Sequence, residues 1–286
     1  MATNLTKRED NPEPTLVFAG YPISLSVPLQ DDKGVDRIYT KQSTAGFMIV
    51  NEDKSSSSYC TAGRNDGFIT SVSCLPYEYG FSNALLGTII EFYDTADPFY
   101  DTADFAYIAD TKVDGSEPIP EIKLIPYVVG ESDGESKPQL YPVVDQGFDT
   151  LGTRVCAYGS GSGYQCGNLA EINVASGTVN FRNFKGLNKV DLGVNGFYTE
   201  EDLGGPVFYT VFDKQLDRTV AQALGHITHF DNSDPNHKLL YYTALDKVFA
   251  QFLGSRNCSY NLLTYSKTNA QEYDQLLAQI EIPTKK

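Results

Sequence analysis

The sequence predicts an all-β protein built as a barrel or a sandwich. Short runs rich in Val, Ile, Thr, Tyr and Phe succeed one another as far as about residue 240, and several alternate with a period of two. Gly, Pro, Asn and Asp punctuate these runs, and no helical periodicity separates them, so strand–helix–strand units are excluded. At 286 residues and 41% hydrophobic composition, the chain buries a proper core in one domain or two packed subdomains.

Residues 1–15 are polar and contain Pro, which reads as a flexible segment and not as a signal peptide. Strand-type runs follow at TLVFAGYPISLSV, AGFMIV, GFITSVS, LLGTIIEFY, DFAYIA, IKLIPYVV, GTRVCAY, LAEINVA, GPVFYTVF and TVAQALGHITHF. The four serines of Ser55–Ser58 read as an exposed hairpin tip. DGSEPIP and VGESDGESKPQL are acidic and contain Pro or Gly, as a linker between two β subdomains would. Helical spacing begins only near the end. Thr243–Asp246 resembles a capping box, and Leu245, Val248, Phe249 and Phe252 then share a face before Gly254. A second helix is expected from Asn269, with Tyr273, Leu276, Leu277 and Ile280 on one side.

A net charge of −15 argues against nucleic acid and anionic membrane surfaces, both of which reward Lys and Arg. No apolar run approaches the ~20 residues that span a bilayer, so membrane insertion is not expected. The five cysteines, Cys60, Cys74, Cys156, Cys166 and Cys258, show no CxxC spacing, and no metal or other cofactor is expected. Cys156 and Cys166 bracket a Gly/Ser-rich turn. A disulfide there would close a loop of about ten residues, worth roughly 3 kcal/mol. Cys60–Cys74 is a second candidate bridge that leaves Cys258 over; reduced, buried cysteines are the alternative. Asn4 and Asn257 begin glycosylation sequons, which suit a secreted glycoprotein.

Four segments in order resemble the chymotrypsin-like serine proteases, in particular the bacterial streptogrisin and α-lytic protease branch. TAGFMIV followed by YCTAGRN is similar to the family's paired strands and its Thr-Ala-Gly-His-Cys loop, with Arg64 at the histidine position and Asn65 at the cysteine position. DTADFAYI is similar to the strand start that carries the catalytic aspartate, placed at Asp104 in preference to Asp101. GTRVCAYGSGSGYQCGNL resembles the family's disulfide-bridged Val-Cys to Gln-Cys-Gly segment. EEDLGGPVF resembles Gly-Asp-Ser-Gly-Gly-Pro-Val-Phe, with Leu203 at the nucleophile position. More weakly, AQALGHI resembles the strand beside bound substrate, which gives Ala223, Leu224 and Gly225 that place, and YYTALDKVFAQF resembles the closing strand and C-terminal helix.

The resemblance implies two antiparallel six-stranded β-barrels of trypsin-like type, a C-terminal helix and an extra helical extension. The expected limits are 16–255 for the protease-like domain (barrels at about 16–125 and 140–242, helix 244–253) and 256–286 for the extension. It also implies an inactive enzyme. A guanidinium at position 64 stays protonated and accepts no hydrogen bond, so it cannot serve as a base, and leucine at 203 has no nucleophile. Glu201 replaces a glycine whose backbone N–H helps form the oxyanion hole, and its carboxylate would repel a developing oxyanion. Arg64 and Asp104 are expected to form an ion pair, with Glu200 or Glu201 competing for the arginine.

In the bacterial branch the aspartate before the nucleophile is buried against an arginine, whose position here is Ala157. Asp202 must then find backbone donors, another arginine such as Arg154, or solvent. His226, His229 and His237 read as surface or internally bonded histidines. Tyr198 and Thr199 lack an evident base partner, and Cys258 lacks a histidine.

The expected function is therefore binding to a protein partner of unknown identity, as a secreted inhibitor, decoy or effector, helped by 19 tyrosines in a chain without tryptophan. A structural or storage role and an enzyme with a relocated site are the alternatives. The expected location is extracellular, with any signal peptide lying outside this sequence.

Overall fold

A computed structural model describes residues 15–30, 36–51, 66–70, 83–84, 87–93, 105–109, 122–132, 138–175, 177–179, 182–256 and 260–278. In chain order the first strands are β1 (Thr15–Ala19), β2 (Pro22–Gln30), β3 (Asp36–Thr44), β4 (Met48–Asn51), β5 (Asp66–Thr70), β6 (Asn83–Ala84), β7 (Gly87–Tyr93), β8 (Phe105–Ala109) and β9 (Ile122–Ser132). Then come β10 (Pro138–Gln146), β11 (Arg154–Gly159), β12 (Gly163–Glu171), the hairpin β13 (Gly177–Val179) and β14 (Arg182–Phe184), and β15 (Asn188–Asp191). The last elements are β16 (Pro206–Asp213), β17 (Arg218–Asp231), β18 (Leu239–Ala244), α1 (Leu245–Arg256), β19 (Tyr260–Leu262) and α2 (Ala270–Leu277).

The protein is mostly β, and its later strands close into a barrel. In sheet order β17, β16, β11, β12, β15 and β18 follow one another, and β18 pairs back to β17, so six strands form a ring. Closure removes the exposed edges that an open sheet must otherwise protect. The same sheet continues beyond β17 through β10 and β9 to β1, with parallel pairing at β10–β17 and β1–β9. Seven earlier strands and the late β19 form an eight-stranded sheet in the order β19, β4, β5, β8, β7, β6, β2, β3, a barrel of which the described pairings show only part.

The core follows from the strand alternation. Val155, Ala157, Leu169, Val190, Val207, Leu224, Ile227, Leu240 and Tyr242 point into the closed barrel and form one cluster with Val17, Ile23, Ala45 and Met48 from the earlier part of the chain. A second cluster joins Phe47, Ile49 and Ile69 to Val143, Phe208, Leu245 and Val248, so the start of α1 seals the junction between the two sheets.

Three local expectations are corrected. VGESDGESKPQL does not link two subdomains: its ends are strand, with Leu140 opposite Val129 and Pro138 opposite Ser132. The continuous buried run from Ile125 to Gly130 carries β9 up to the polar stretch, and a hairpin results. Thr243 lies within β18, and its hydroxyl is 2.8 Å from that of Thr228 across the strand pair. α1 does not stop at Gly254; it runs on to Arg256. The second helix begins where Asn269 predicts it and ends at Leu277, short of Ile280.

Candidate functional site

The segment carrying Leu203 is a single 3-10 turn, Glu200–Asp202, inserted between Thr199 and the start of β16. Its conformation is set by Asp202, whose side chain is completely buried. Oδ1 accepts the backbone N–H groups of Gly161 at 2.7 Å and Ser162 at 2.8 Å. Oδ2 accepts the Ser162 hydroxyl at 2.5 Å, the Thr199 N–H at 2.6 Å and the Thr199 hydroxyl at 3.0 Å. These five donors surround the carboxylate, and Arg154 takes no part, lying exposed at the start of β11. A buried carboxylate is tolerable only with such compensation.

The glycines of the GSGSG turn make this cage. A Cβ on Gly159 would lie 2.1 Å from Asp202 Oδ1, and one on Gly161 would lie 2.5 Å from the Thr199 hydroxyl oxygen. The sequence marks this stretch as a turn and gives no sign that it closes over Asp202. Three Gly around two Ser is the only available signal, since it brings backbone N–H groups close together. The turn is also pinned by the disulfide between Cys156 and Cys166, which face each other across β11 and β12 with Cα atoms 4.0 Å apart.

Leu203 points inward. It is 6% exposed and belongs to the apolar cluster of Val155, Ala157, Tyr198 and Ile227. Its carbonyl accepts the Thr44 N–H at 3.1 Å and the Ser43 hydroxyl at 2.7 Å, so the end of β3 holds it in place. Its own N–H donates to the Glu200 carbonyl at 3.4 Å, back into the turn. The Glu201 carbonyl is held by the Thr44 hydroxyl at 2.8 Å and the Ser160 hydroxyl at 3.1 Å, while its side chain is exposed. Gly204 has φ +85°, a left-handed conformation natural to glycine, and its N–H donates to the Ile227 carbonyl at 2.8 Å.

Ala223, Leu224 and Gly225 are buried in β17. Ala223 pairs with Phe208 on one side and Gln146 on the other, and Gly225 pairs with Val207 and Ala244. A Cβ on Gly225 would meet the Thr243 carbonyl oxygen at 2.0 Å. Ala223 and Gly225 therefore stand between paired neighbours within the sheet. Arg64, Asn65, Asp101, Asp104, Cys60, Cys74, Cys258, Asn4, Asn257 and Ser55–Ser58 lie outside the described residues.

The titratable groups around the turn are structural in character. Tyr198 is buried, and its phenol is pushed well up by desolvation and by the Asp202 charge; its hydroxyl donates to the Ala157 carbonyl at 3.2 Å. Tyr158 is raised by the same two causes. His226 and His229 are buried in β17. His237 is exposed, with Nδ1 2.9 Å from Asp191 Oδ2, and this hydrogen bond raises it. Among the described residues no group of three or more His, Cys, Asp or Glu could hold a metal ion, and no helix is long and apolar enough to cross a membrane.

No protein-family model matches the chain, and no curated protein sequence does. Solved structures do match. Thermobifida fusca protease A superposes with a TM-score of 0.55 at 16% identity, covering 88% of this chain and 100% of its own. Nocardiopsis protease gives 0.54 at 15% identity, and Cellulomonas bogoriensis chymotrypsin gives 0.53 at 17%; each covers 87% of this chain and 100% of its own. At these identities the likeness shows the trypsin-like fold alone.

Proposed function

We propose that a trypsin-like serine-protease fold here serves binding and not catalysis, in a secreted protein whose partner is another protein. Position 203 carries this reading. Where the resemblance puts the nucleophile stands a leucine packed into the core, with its N–H directed at the Glu200 carbonyl. An aliphatic side chain takes no part in acyl transfer, and a donor already engaged cannot stabilise an oxyanion without rebuilding the turn. Arg64 at the base position supports the same reading, and we place it against Asp104 as an ion pair. The Cys156–Cys166 disulfide supports an oxidising, extracellular setting. Exposed aromatic rings, Phe148 at 83%, Phe212 at 62% and Phe197 at 54%, are anchors of the kind that protein interfaces use.

A broad panel of peptide and ester substrates tests the proposal. Wild type is expected to show no turnover, and so is Leu203→Ser, because the new hydroxyl would meet neither a base nor a free oxyanion donor. Turnover by wild type that Asp104→Ala abolishes and distant surface substitutions leave intact would overturn it. Capture of a single protein on the immobilised chain from its native extracellular fluid is the positive counterpart.

A further inference from the structure

The segment from β19 to α2 belongs to no barrel wall of its own. It runs as a strap over both sheets. β19 lies along β4, with Tyr260 opposite Asn51, Asn261 opposite Val50 and Leu262 opposite Ile49. Leu263 N–H then donates to the Met48 carbonyl at 2.9 Å, and Tyr265 N–H to the Val143 carbonyl of β10 at 2.7 Å. Without β19, β4 would end the eight-stranded sheet. Such an edge is a template for any extended chain of suitable sequence.

Side chains fix the register of this seat. Tyr260 and Tyr265 are 5% and 4% exposed. The half-buried Ala270, Tyr273, Leu276 and Leu277 cover Phe18, Ile125, Tyr127 and Val129 on the face of β1 and β9. Asp274 accepts hydrogen bonds from Tyr127 at 2.7 Å, Tyr265 at 3.0 Å and Arg218 at 3.3 Å. α2 itself is eight residues long and contains no buried residue. A helix that short is not stable alone, so the seat supplies its order, and lifting the strap withdraws Tyr260 from the cluster of Phe47 and Ile49 while the other strand pairings stay in place.

We infer that residues 260–278 are an exchangeable strap, and that the seat they fill also takes the same segment of a second copy of this chain. The seat's backbone edge, its apolar face and its Arg218 all match this one segment, and a second copy offers that segment unchanged. Reciprocal exchange makes an isologous pair, so assembly closes at the dimer. Residues 257–259 alone connect α1 to β19. So short a connection gives the strap a high effective concentration in its own chain, which holds the balance toward monomer until the connection is altered.

Deleting Asn257–Ser259 from the full chain puts the strap's own seat out of reach. Light scattering should find wild type monomeric and the deletion chain dimeric. Adding Leu263→Pro, which removes the N–H given to Met48, should return the deletion chain to monomer. The paired substitutions I49C and L262C face each other in the ladder, and they should form a disulfide within the wild-type chain but between chains in the deletion. A monomeric deletion chain, a dimer indifferent to Leu263→Pro, or the absence of an interchain bond would each overturn the proposal. A second measurement needs no deletion. Full-length copies carrying Ile49→Cys are refolded at high concentration with copies carrying Leu262→Cys. Disulfide-linked heterodimers are expected in this mixture and not when the folded copies are mixed briefly, and their failure to form overturns strap exchange.

Discussion

Asp202→Asn preserves the shape of the buried side chain and removes its charge, so it isolates what the five-donor cage contributes. Oδ1 faces two backbone N–H groups, whereas Oδ2 faces one backbone N–H and two hydroxyls. Hydroxyls can rotate and accept; a backbone N–H cannot. The carboxamide therefore places its oxygen where Oδ1 stood and its NH2 where Oδ2 stood, and the Thr199 N–H is left facing a donor. One buried, frustrated N–H costs about 1–3 kcal/mol. Asp202→Ala strands three N–H groups, those of Gly161, Ser162 and Thr199, and relaxation of the turn keeps the total nearer about 4–5 kcal/mol.

The chain has 19 tyrosines and no tryptophan, so tyrosine fluorescence in urea and far-UV circular dichroism on heating are the natural assays. At about 2 °C per kcal/mol for a chain of this size, the asparagine variant should melt about 4 °C below wild type and the alanine variant about 8 °C or more below it. An asparagine variant as stable as wild type, or an alanine variant no worse than the asparagine one, would refute the assignment of Asp202 as the keystone of this turn.

Other expectations follow from the same contacts. Burial acts to raise Asp274, but the hydrogen bonds from Tyr127 and Tyr265 and the Arg218 charge outweigh it and hold its carboxyl below the ordinary range. Its contribution is therefore complete above the unfolded aspartate value of about 3.9 and is lost as pH falls through the lower folded value. The protection of α2 amides, with exchange rates corrected for their intrinsic pH dependence, should fall as pH drops below about 4 in wild type but not in Asp274→Asn, with an effect below about 1 kcal/mol because the group is half exposed; an equal fall in both would exclude Asp274 as the cause. Replacing both Cys156 and Cys166 by alanine should cost roughly 3 kcal/mol in urea unfolding, and a cost below about 1 kcal/mol would mean that the strand pair holds the turn unaided.

Much of the architecture is legible in the sequence because strand alternation and turn residues act locally. Val155 and Ala157 face one core cluster and Cys156 between them the other, as strand alternation dictates, and the Gly/Ser turn between Cys156 and Cys166 announces the hairpin and its disulfide. α2 is legible for the same reason, through the spacing of Tyr273, Leu276 and Leu277. What sequence conceals is partnership at long range. Asp202 plainly needs donors once an arginine is missing, yet nothing local says that Gly161, Ser162 and Thr199 provide them. The burial of Ala223–Gly225 depends on β10 and β18 arriving from elsewhere in the chain. The β9–β10 hairpin is hidden by its polar composition, which a linker shares.

The pairing of β19 with β4 also bears on how the protein is made. The Ser43 hydroxyl reaches the Leu203 carbonyl across a sequence separation of 160 residues, and among the described residues the β4 edge is covered by residues 260–262. Synthesis is vectorial, so β4 emerges from the ribosome long before its covering strand exists. Through that interval Met48–Asn51 presents an apolar, hydrogen-bonding edge, and contacts of such high order form slowly. Protection of that edge during translation therefore falls to whatever meets the nascent chain, since the chain's own remedy lies far downstream.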